Sequence, residues 1–130
     1  MGTTQETRIG IATPPDGEIV MCPAVVVGRG LAVADLSVLS PGGRQGYSVT
    51  HIGTGYQLGD NFFSQALALR CAREMTRVQG FEETADISDP VAMVKLAKSW
   101  VPVARPVMDR YEYLDDLWIT RERYRKGAGQ

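Results

Sequence analysis

The sequence predicts an α+β fold, in which an antiparallel sheet of three or four strands from the N-terminal half is covered by two or three helices from the C-terminal half. Two observations support this prediction. Short apolar stretches separated by glycine turns fill residues 18–58, which is typical of antiparallel strands. From residue 63 onward, apolar side chains recur every three or four positions, which is the period of a helix.

A single domain is expected over residues 9–126, because the 130 residues are 44% hydrophobic and can form one core. The polar stretch 1–8 and the last residues, 127–130, show no apolar periodicity and are predicted to be flexible tails. Glu18–Val27 is rich in β-branched residues and is predicted to be a strand. Pro23 is expected at a sheet edge or a bulge, since proline has no backbone N–H group.

Two glycines, Gly28 and Gly30, follow three consecutive valines, an arrangement that also begins dinucleotide-binding motifs. That motif needs Gly or Ala at position 33, where this chain has Val33, and no acidic residue follows at the distance of a ribose. A hairpin turn is therefore favoured and no cofactor is expected. Leu31–Leu39 is predicted to be a strand, although its alanine and leucine content leaves a helix open.

A second hairpin is predicted over residues 47–58. Its first strand alternates with a period of two, Gly53-Thr54-Gly55 supplies a tight reversal, and Tyr56–Leu58 forms the return strand. Asp60 or Asn61 is then expected to cap the first helix by accepting hydrogen bonds from its free N–H groups.

The helical half is predicted to contain three helices. The apolar stripe of the first recurs every four residues, at Phe63, Leu67, Cys71 and Met75. Asp89 and Pro90 predict the start of the second, which Pro102 is expected to end. The third is expected to run to about residue 125, with an apolar face formed by Val107, Tyr111, Leu114 and Trp118. The side chains expected in the core include Leu67, Met75 and Trp100.

Charge and cysteine content argue against several classes of protein. A net charge of −1 and a pI of about 5.8 are unusual for a protein whose main partner is duplex DNA. Cys22 and Cys71 lie far apart and form no CxxC pair, which argues against a disulfide framework or a zinc site and favours the reducing cytoplasm. No signal-peptide pattern is visible, and charged and proline residues interrupt the longest apolar region, so no membrane partner is expected.

No catalytic or metal-binding constellation is recognisable in the sequence. His51 is the only histidine, and no nucleophile or metal ligand lies at a suitable spacing from it. We expect a structural histidine beside a glycine turn. The adjacent acids Asp115 and Asp116 are expected to face water in different directions rather than to act as a general acid and base.

Basic and aromatic residues give the candidate interaction sites. Arg70, Arg73 and Arg77 share one helical face, where they could bind phosphates or an acidic partner, or could simply be solvated. A second basic cluster contains Arg121, Arg123, Arg125 and Lys126. Aromatic and arginine side chains are common anchors of protein interfaces. Tyr113 and Tyr124 are therefore interface candidates, as are Arg121 and Arg125, whereas Tyr111 and Trp118 are predicted to be core.

The segment from Tyr47 to Arg73 resembles small proteins of actinobacterial phages and mobile elements, which share a T-H-x-x-T-G hairpin followed by an aromatic residue and a helix. Thr50, His51, Thr54 and Gly55 carry the motif here. The hairpin leading into a helix is also similar to the arm-binding domains of tyrosine integrases, which lay a sheet in the DNA major groove. This chain departs from the integrase pattern, because its hairpin strands contain no Lys or Arg.

The sequence therefore predicts a small non-enzymatic interaction module of a phage or mobile element, which binds a host or phage protein or a second copy of itself. The alternative is a nucleic-acid-binding accessory protein that uses the arginine face. A small enzyme that uses His51 is the third hypothesis.

Overall fold

The computed structural model describes residues 6–13, 18–28, 30–39, 46–59, 61–78 and 81–128. One four-stranded antiparallel sheet, with its strands in chain order, packs against two α-helices. The predicted α+β class is confirmed. The strands are β1 (Glu6–Thr13), β2 (Glu18–Gly28), β3 (Leu31–Asp35) and β4 (Tyr47–His51), and the helices are α1 (Gln65–Met75) and α2 (Pro90–Ala128).

Strand β1 begins inside the stretch that was predicted to be a tail. It pairs with β2 along its whole length, from Glu6 opposite Val25 to Thr13 opposite Glu18. Ile9 and Ile11 are buried from this strand. Their burial, together with the ladder of hydrogen bonds, orders the preceding polar residues 6–8 as well. Residues 1–5 and 129–130 of the predicted tails lie outside the described residues.

The β2–β3 connection is a hairpin turn, as the sequence favoured over a dinucleotide-binding loop. The two strands are antiparallel, and Gly30 has a φ of +87°, which suits glycine in a tight reversal. The prediction for Pro23 was wrong, because β2 is an interior strand and its register shift lies between Val26 and Gly28. Pro23 precedes Ala24, the first β2 residue that pairs with β3, so its missing N–H group interrupts no bond to that strand.

Both faces of the central sheet are buried. Leu31, Val33 and Val49 pack with the helices in the main core. Alternate residues point the other way, and there Ala32 and Ala34 form a second cluster that also contains Ile9, Ile11, Cys22, Ala24 and Leu36. The sequence pattern of a strand with one polar face was misleading here, since Ser48 and Thr50 are also buried and hydrogen-bond to each other.

The second cluster forms because the sheet curls and brings its two edges together at one corner. The Ala12 N–H of β1 donates to the carbonyl oxygen of Gly55, just after β4, at 3.0 Å. Gly55 has a φ of +75°, and a Cβ there would lie 2.7 Å from the Gly10 carbonyl oxygen. Only glycine fits such a close approach of two backbones.

Strand β3 ends after five residues, which resolves the open prediction for Leu31–Leu39. Asp35 accepts a hydrogen bond from the Ser37 N–H at 3.0 Å and begins a 3₁₀ turn at Leu36–Val38. The return strand predicted at Tyr56–Leu58 is reduced to an isolated bridge between Gln57 and Thr50.

Helix α1 begins later than predicted, and Ser64 caps it rather than Asp60 or Asn61. The Ser64 hydroxyl accepts from the Leu67 N–H at 3.3 Å, so Phe63 precedes the helix. Met75 is buried, as expected, whereas Leu67 is only half-buried. The buried face instead contains Ala68, Cys71, Ala72 and Met75, because small alanines let the helix approach the sheet closely.

Helix α2 is a single element of 39 residues, so the predicted break at Pro102 and the separate third helix were wrong. Asp89 caps it as predicted, with its Oδ1 accepting from the Val91 N–H at 3.1 Å. An internal proline costs about 3 kcal/mol. The helix nevertheless continues through Pro102 and Pro106, and a buried face begins two residues after Pro102 and extends past Pro106. That face contains Ala104, Met108, Tyr111 and Asp115.

Candidate interaction surface

The most exposed apolar side chains in the second half of α2 lie on one side of the helix. Tyr113 is 63% exposed and Leu117 is 45% exposed, and Leu114 and Trp118 stand beside them. Positions i, i+1, i+4 and i+5 of a helix are neighbours on its surface. We name this set, Tyr113, Leu114, Leu117 and Trp118, the outer stripe. Leu114 and Trp118, which the sequence placed in the core, are thus exposed, while Tyr111 is buried as predicted.

Helix α2 leaves the outer stripe exposed because these residues lie off its buried face, which contains Met108, Tyr111 and Asp115. Its 39 residues span about 58 Å, whereas the 11 residues of α1 span about 16 Å. The last buried side chain is Asp115, and the described side chains that follow it, residues 116–122, are exposed or half-exposed. The C-terminal part of α2 therefore presents an exposed apolar strip, and Trp118 at its end also lines a pocket of about 380 Å³ with Tyr47 and Phe63. Contiguous apolar surface of this kind marks binding sites.

Asp115 attaches α2 to the beginning of α1. Its Oδ2 accepts from the Phe63 N–H and its Oδ1 from the Ser64 N–H, both at 2.9 Å, and the residue is only 3% exposed. A carboxylate at this place also complements the positive end of the α1 dipole. Its neighbour Asp116 is exposed, so the expectation that both adjacent acids face water was wrong for Asp115.

Sequence reasoning did not find this role of Asp115. The available signal was its spacing, since it lies four residues after Tyr111 and seven after Met108, in line with the buried face. An acid at such a position must find partners when the helix packs.

An acidic pocket of about 520 Å³ lies between the return strand and α2. Glu112, Asp115 and Asp116 supply its charge, and its other lining residues are Gln57, Gly59, Asn61 and Phe63. Among the described residues, no group of three or more His, Cys, Asp and Glu side chains is arranged to hold a metal ion.

The arginines on α1 are exposed, but they are not equivalent. The Arg70 guanidinium lies 6.0 Å from the centre of the Tyr111 ring. Tyr111 donates to Glu74, which also accepts from Arg110. The hydrogen bond from Tyr111 lowers the pKa of the Glu74 carboxyl, and the same bond raises the pKa of the Tyr111 hydroxyl. Glu74 thus partly neutralises the arginine face at Arg70, whereas Arg73 and Arg77 extend it into solvent.

The other predicted interface residues divide between described and undescribed side chains. Tyr113 belongs to the outer stripe, and Arg121 is exposed two turns further along α2. Tyr124 and Arg125 also belong to α2, but their side chains lie outside the described part of the structure. The structure therefore places Tyr113 and Arg121 on α2 and Arg70 and Arg73 on α1, whereas Arg77 lies in the turn that follows α1.

His51 is fully buried and both of its ring nitrogens are occupied. Nε2 lies 2.6 Å from the Thr84 carbonyl oxygen, so Nε2 carries the proton and donates. Nδ1 accepts from the Thr54 N–H at 3.3 Å and lies 2.9 Å from the Thr54 hydroxyl. These bonds join β4, its glycine turn and the 3₁₀ turn Phe81–Thr84, which is a structural arrangement of the kind the sequence predicted. The hydrogen bonds between His51 and Thr54 also explain the His and the second Thr of the T-H-x-x-T-G motif.

The two cysteines are free and buried. Burial raises the pKa of the Cys71 thiol to about 12, with smaller contributions from Glu112 and Glu74. Burial also raises the pKa of Cys22, followed by the effect of Asp35. Both thiols are thereby held in the protonated form, which is a poor nucleophile.

Comparison of the chain with protein-family models, with curated proteins and with solved structures returned no match. The resemblance to phage and mobile-element proteins therefore stays a prediction. Across the described residues, none of the helices combines the length and the apolar character that crossing a membrane requires.

Proposed function

We propose that the protein is a small, cytoplasmic, non-enzymatic interaction module of a phage or mobile element, and that it binds another protein chain through the outer stripe. The observation that carries this proposal is the exposure of Tyr113, Leu114, Leu117 and Trp118 on a helix that extends beyond its own core. The proposed origin rests on the hairpin resemblance, and the proposed location rests on the two unpaired cysteines.

The composition of the surface supports a protein partner. Tyrosine, tryptophan and arginine are enriched in interfaces, and the outer stripe has two aromatic side chains at its ends with Arg121 beyond them. Its two leucines, Leu114 and Leu117, lie between the aromatic residues in the chain. The non-enzymatic part of the proposal is supported by His51, whose ring nitrogens are both engaged inside the core.

One observation favours a second candidate function, which is nucleic-acid binding. Arg70 and Arg73 are exposed on α1, and Arg77 is exposed in the turn that follows it. If these arginines bind phosphates, affinity must fall steeply as the salt concentration rises, because added salt reduces the free-energy gain from releasing counterions. We rank this candidate second, because the chain carries a net charge of −1 and Glu74 lies beside Arg70.

The test of the proposed function uses a tagged copy of the chain in a nuclease-treated lysate of bacterial host cells that also express an untagged copy. Mass spectrometry identifies whatever protein is retained, whether a host protein or the untagged chain. The double variant Tyr113→Ala/Leu117→Ala should lose the retained protein. The control variant Val91→Ala/Val94→Ala, which alters exposed valines at the other end of α2, should keep it. Equal retention by all three baits, or by none, would contradict the proposal.

The second candidate is tested by electrophoretic shifts with single- and double-stranded DNA at low salt. We expect no shift at micromolar protein, and therefore no difference between the wild type and the Arg70→Ala/Arg73→Ala/Arg77→Ala variant. If the wild type shifts DNA at micromolar concentration and the triple variant does not, although it remains folded, nucleic-acid binding becomes the first candidate.

A further inference from the structure

We propose that a pocket between the sheet and α2 binds a methylated ammonium group. The pocket has a volume of about 380 Å³, and three of its lining residues are aromatic. Its lining residues are Asp35, Ser37, Gly46, Tyr47, Phe63 and Trp118. We name the set Asp35, Tyr47, Phe63 and Trp118 the aromatic cage. Tyr113 and Leu117, which carry the proposed function, do not line this pocket, so its ligand is independent of the partner of the outer stripe.

Strands β3 and β4 place two members of the aromatic cage side by side. Asp35 lies directly opposite Tyr47 in the antiparallel pair. Val33 and Val49, two positions away on the same strands, pack in the main core with the helices. Because alternate residues of a strand share a face, Asp35 and Tyr47 also lie on the helix side of the sheet.

The other two rings come from the segment before α1 and from the second half of α2. Phe62 forms a bridge with Tyr47, with N–H to carbonyl bonds of 2.7 Å in both directions, and Phe63 follows directly. Trp118 comes three residues after Asp115, whose carboxylate holds α2 against the N–H groups just before α1. These two contacts therefore bring aromatic side chains from three separate parts of the chain to one pocket.

Asp35 gives the pocket a negative charge that the described residues leave without an ion pair. Its Oδ1 accepts from the Ser37 N–H at 3.0 Å, which is a neutral donor. Aromatic rings attract a cation that lies over their faces within about 6 Å of the centre. Trp118 is 43% exposed although it lines the pocket, so a bound ligand would remove part of its surface from water. A cation is therefore the ligand whose charge this pocket complements.

The type of cation follows from the chemistry of the lining. A primary ammonium or a guanidinium loses hydrogen bonds to water on burial, and aromatic carbon atoms do not replace them. A fully methylated ammonium has no N–H group to satisfy. Its methyl groups gain from leaving water, and its charge is attracted by the rings and by Asp35. The pocket volume lies within the range of about 300–1,000 Å³ that small-molecule sites occupy.

Calorimetric titration of the purified chain with choline, or with a peptide that contains trimethyllysine, tests the proposal. The controls are the uncharged analogue of choline, in which a carbon atom replaces nitrogen, ethanolamine, which lacks the methyl groups, and the unmodified lysine peptide. We expect at least one methylated ligand to bind about tenfold more tightly than its controls, because only it combines the charge with the methyl groups. Binding of choline alone assigns a free small molecule as the source, and binding of the peptide alone assigns a modified side chain.

Two variants locate the binding at the aromatic cage. Asp35→Asn removes the charge but keeps an oxygen atom that can accept from Ser37, and Tyr47→Leu removes one ring. Each should weaken binding of the methylated ligand by about tenfold. Tyr113→Ala/Leu117→Ala is the matched control, since it alters the outer stripe outside the pocket and should leave the Kd unchanged. Circular dichroism shows whether each variant is folded, and Asp35→Asn decides the outcome if Tyr47→Leu is not.

An NMR titration gives a second readout at the pocket itself. The indole N–H signal of Trp118, assigned by its absence in Trp118→Phe, should shift as the methylated ligand is added. Absence of binding by both methylated ligands at about 10 mM would overturn the proposal. Equal binding of each methylated ligand and its controls, or undiminished binding by folded Asp35→Asn, would do the same. None of these results changes the lysate experiment, which tests the outer stripe through Tyr113 and Leu117.

Discussion

The two hydrogen bonds that Asp115 of α2 accepts from the residues just before α1 give the sharpest test of the structure. Its carboxylate accepts from the N–H groups of Phe63 and Ser64, and the side chain is almost completely shielded from water. Asp115→Ala removes both acceptors and leaves two N–H groups at the start of α1 without a partner. A hydrogen bond to a charged group contributes about 1.5–3 kcal/mol. The free energy of unfolding should therefore fall by about 2–4 kcal/mol, since burying the charge offsets part of the gain.

Two further variants show whether this loss comes from the hydrogen bonds. Asp115→Asn keeps the shape but replaces one acceptor by an NH₂ group, which would face an N–H donor, so it should cost about 1–3 kcal/mol. Asp116→Ala removes the neighbouring exposed acid and should change stability by less than about 0.5 kcal/mol. Asp115→Ala and Asp116→Ala each remove one negative charge, so a difference between their unfolding free energies does not come from the net charge of the chain.

Urea unfolding followed by circular dichroism measures the three free energies, and hydrogen exchange localises the effect. In Asp115→Ala the amides of Phe63 and Ser64 should exchange faster than those in the centre of α1. Equal unfolding midpoints for Asp115→Ala and Asp116→Ala would refute the assigned contact between α2 and α1.

Three other predictions concern the core and the buried polar groups. Met75→Ala should lower the free energy of unfolding by about 2–5 kcal/mol, whereas Leu67→Ala should cost less because its side chain is half-buried, and a larger loss at Leu67 in urea unfolding would contradict the packing. His51→Leu should cost about 2–4 kcal/mol in the same assay, because Thr54 and Thr84 lose their partner, while capture of a partner by the outer stripe persists. Folding lowers the pKa of the Glu74 carboxyl from 4.5. The ionised carboxylate therefore stabilises the fold above that pH, and this stabilisation is lost as the pH falls. Because Tyr111 donates the hydrogen bond that lowers the pKa, Tyr111→Phe should make the thermal stability less dependent on acid pH.

Local signals explain why much of the sheet was predictable. The valines before Gly28 and the alternation after Gly46 define β2 and β4, and Gly30, with a φ of +87°, suits the reversal between β2 and β3. Strand β1 has the same alternation at Ile9 and Ile11. Its first three residues, 6–8, are polar and gave no apolar signal, so the beginning of the strand was not predicted.

The continuity of α2 was harder to predict, because it depends on packing. Pro102 and Pro106 have the local preference to end a helix, and nothing near them in the chain opposes it. The continuous buried face from Ala104 to Asp115 opposes it, and this face exists only once α1 and the sheet are in place. The same cause displaced the predicted apolar face from Leu114 and Trp118 to Met108 and Asp115.

By itself, the sequence determined the α+β class, the turn between β2 and β3 and the cap at Asp89, since these follow from turn residues and capping groups. It also made Tyr113 and Arg121 candidates for an interface, from side-chain type alone. Only the tertiary structure decided which side chains remain exposed on α2, and thereby assembled the outer stripe. It also decided that Asp115 is a buried link and that His51 is engaged on both nitrogens. Periodicity fixes which residues share a face of a helix or strand, but a face becomes buried or exposed only through the elements that pack against it.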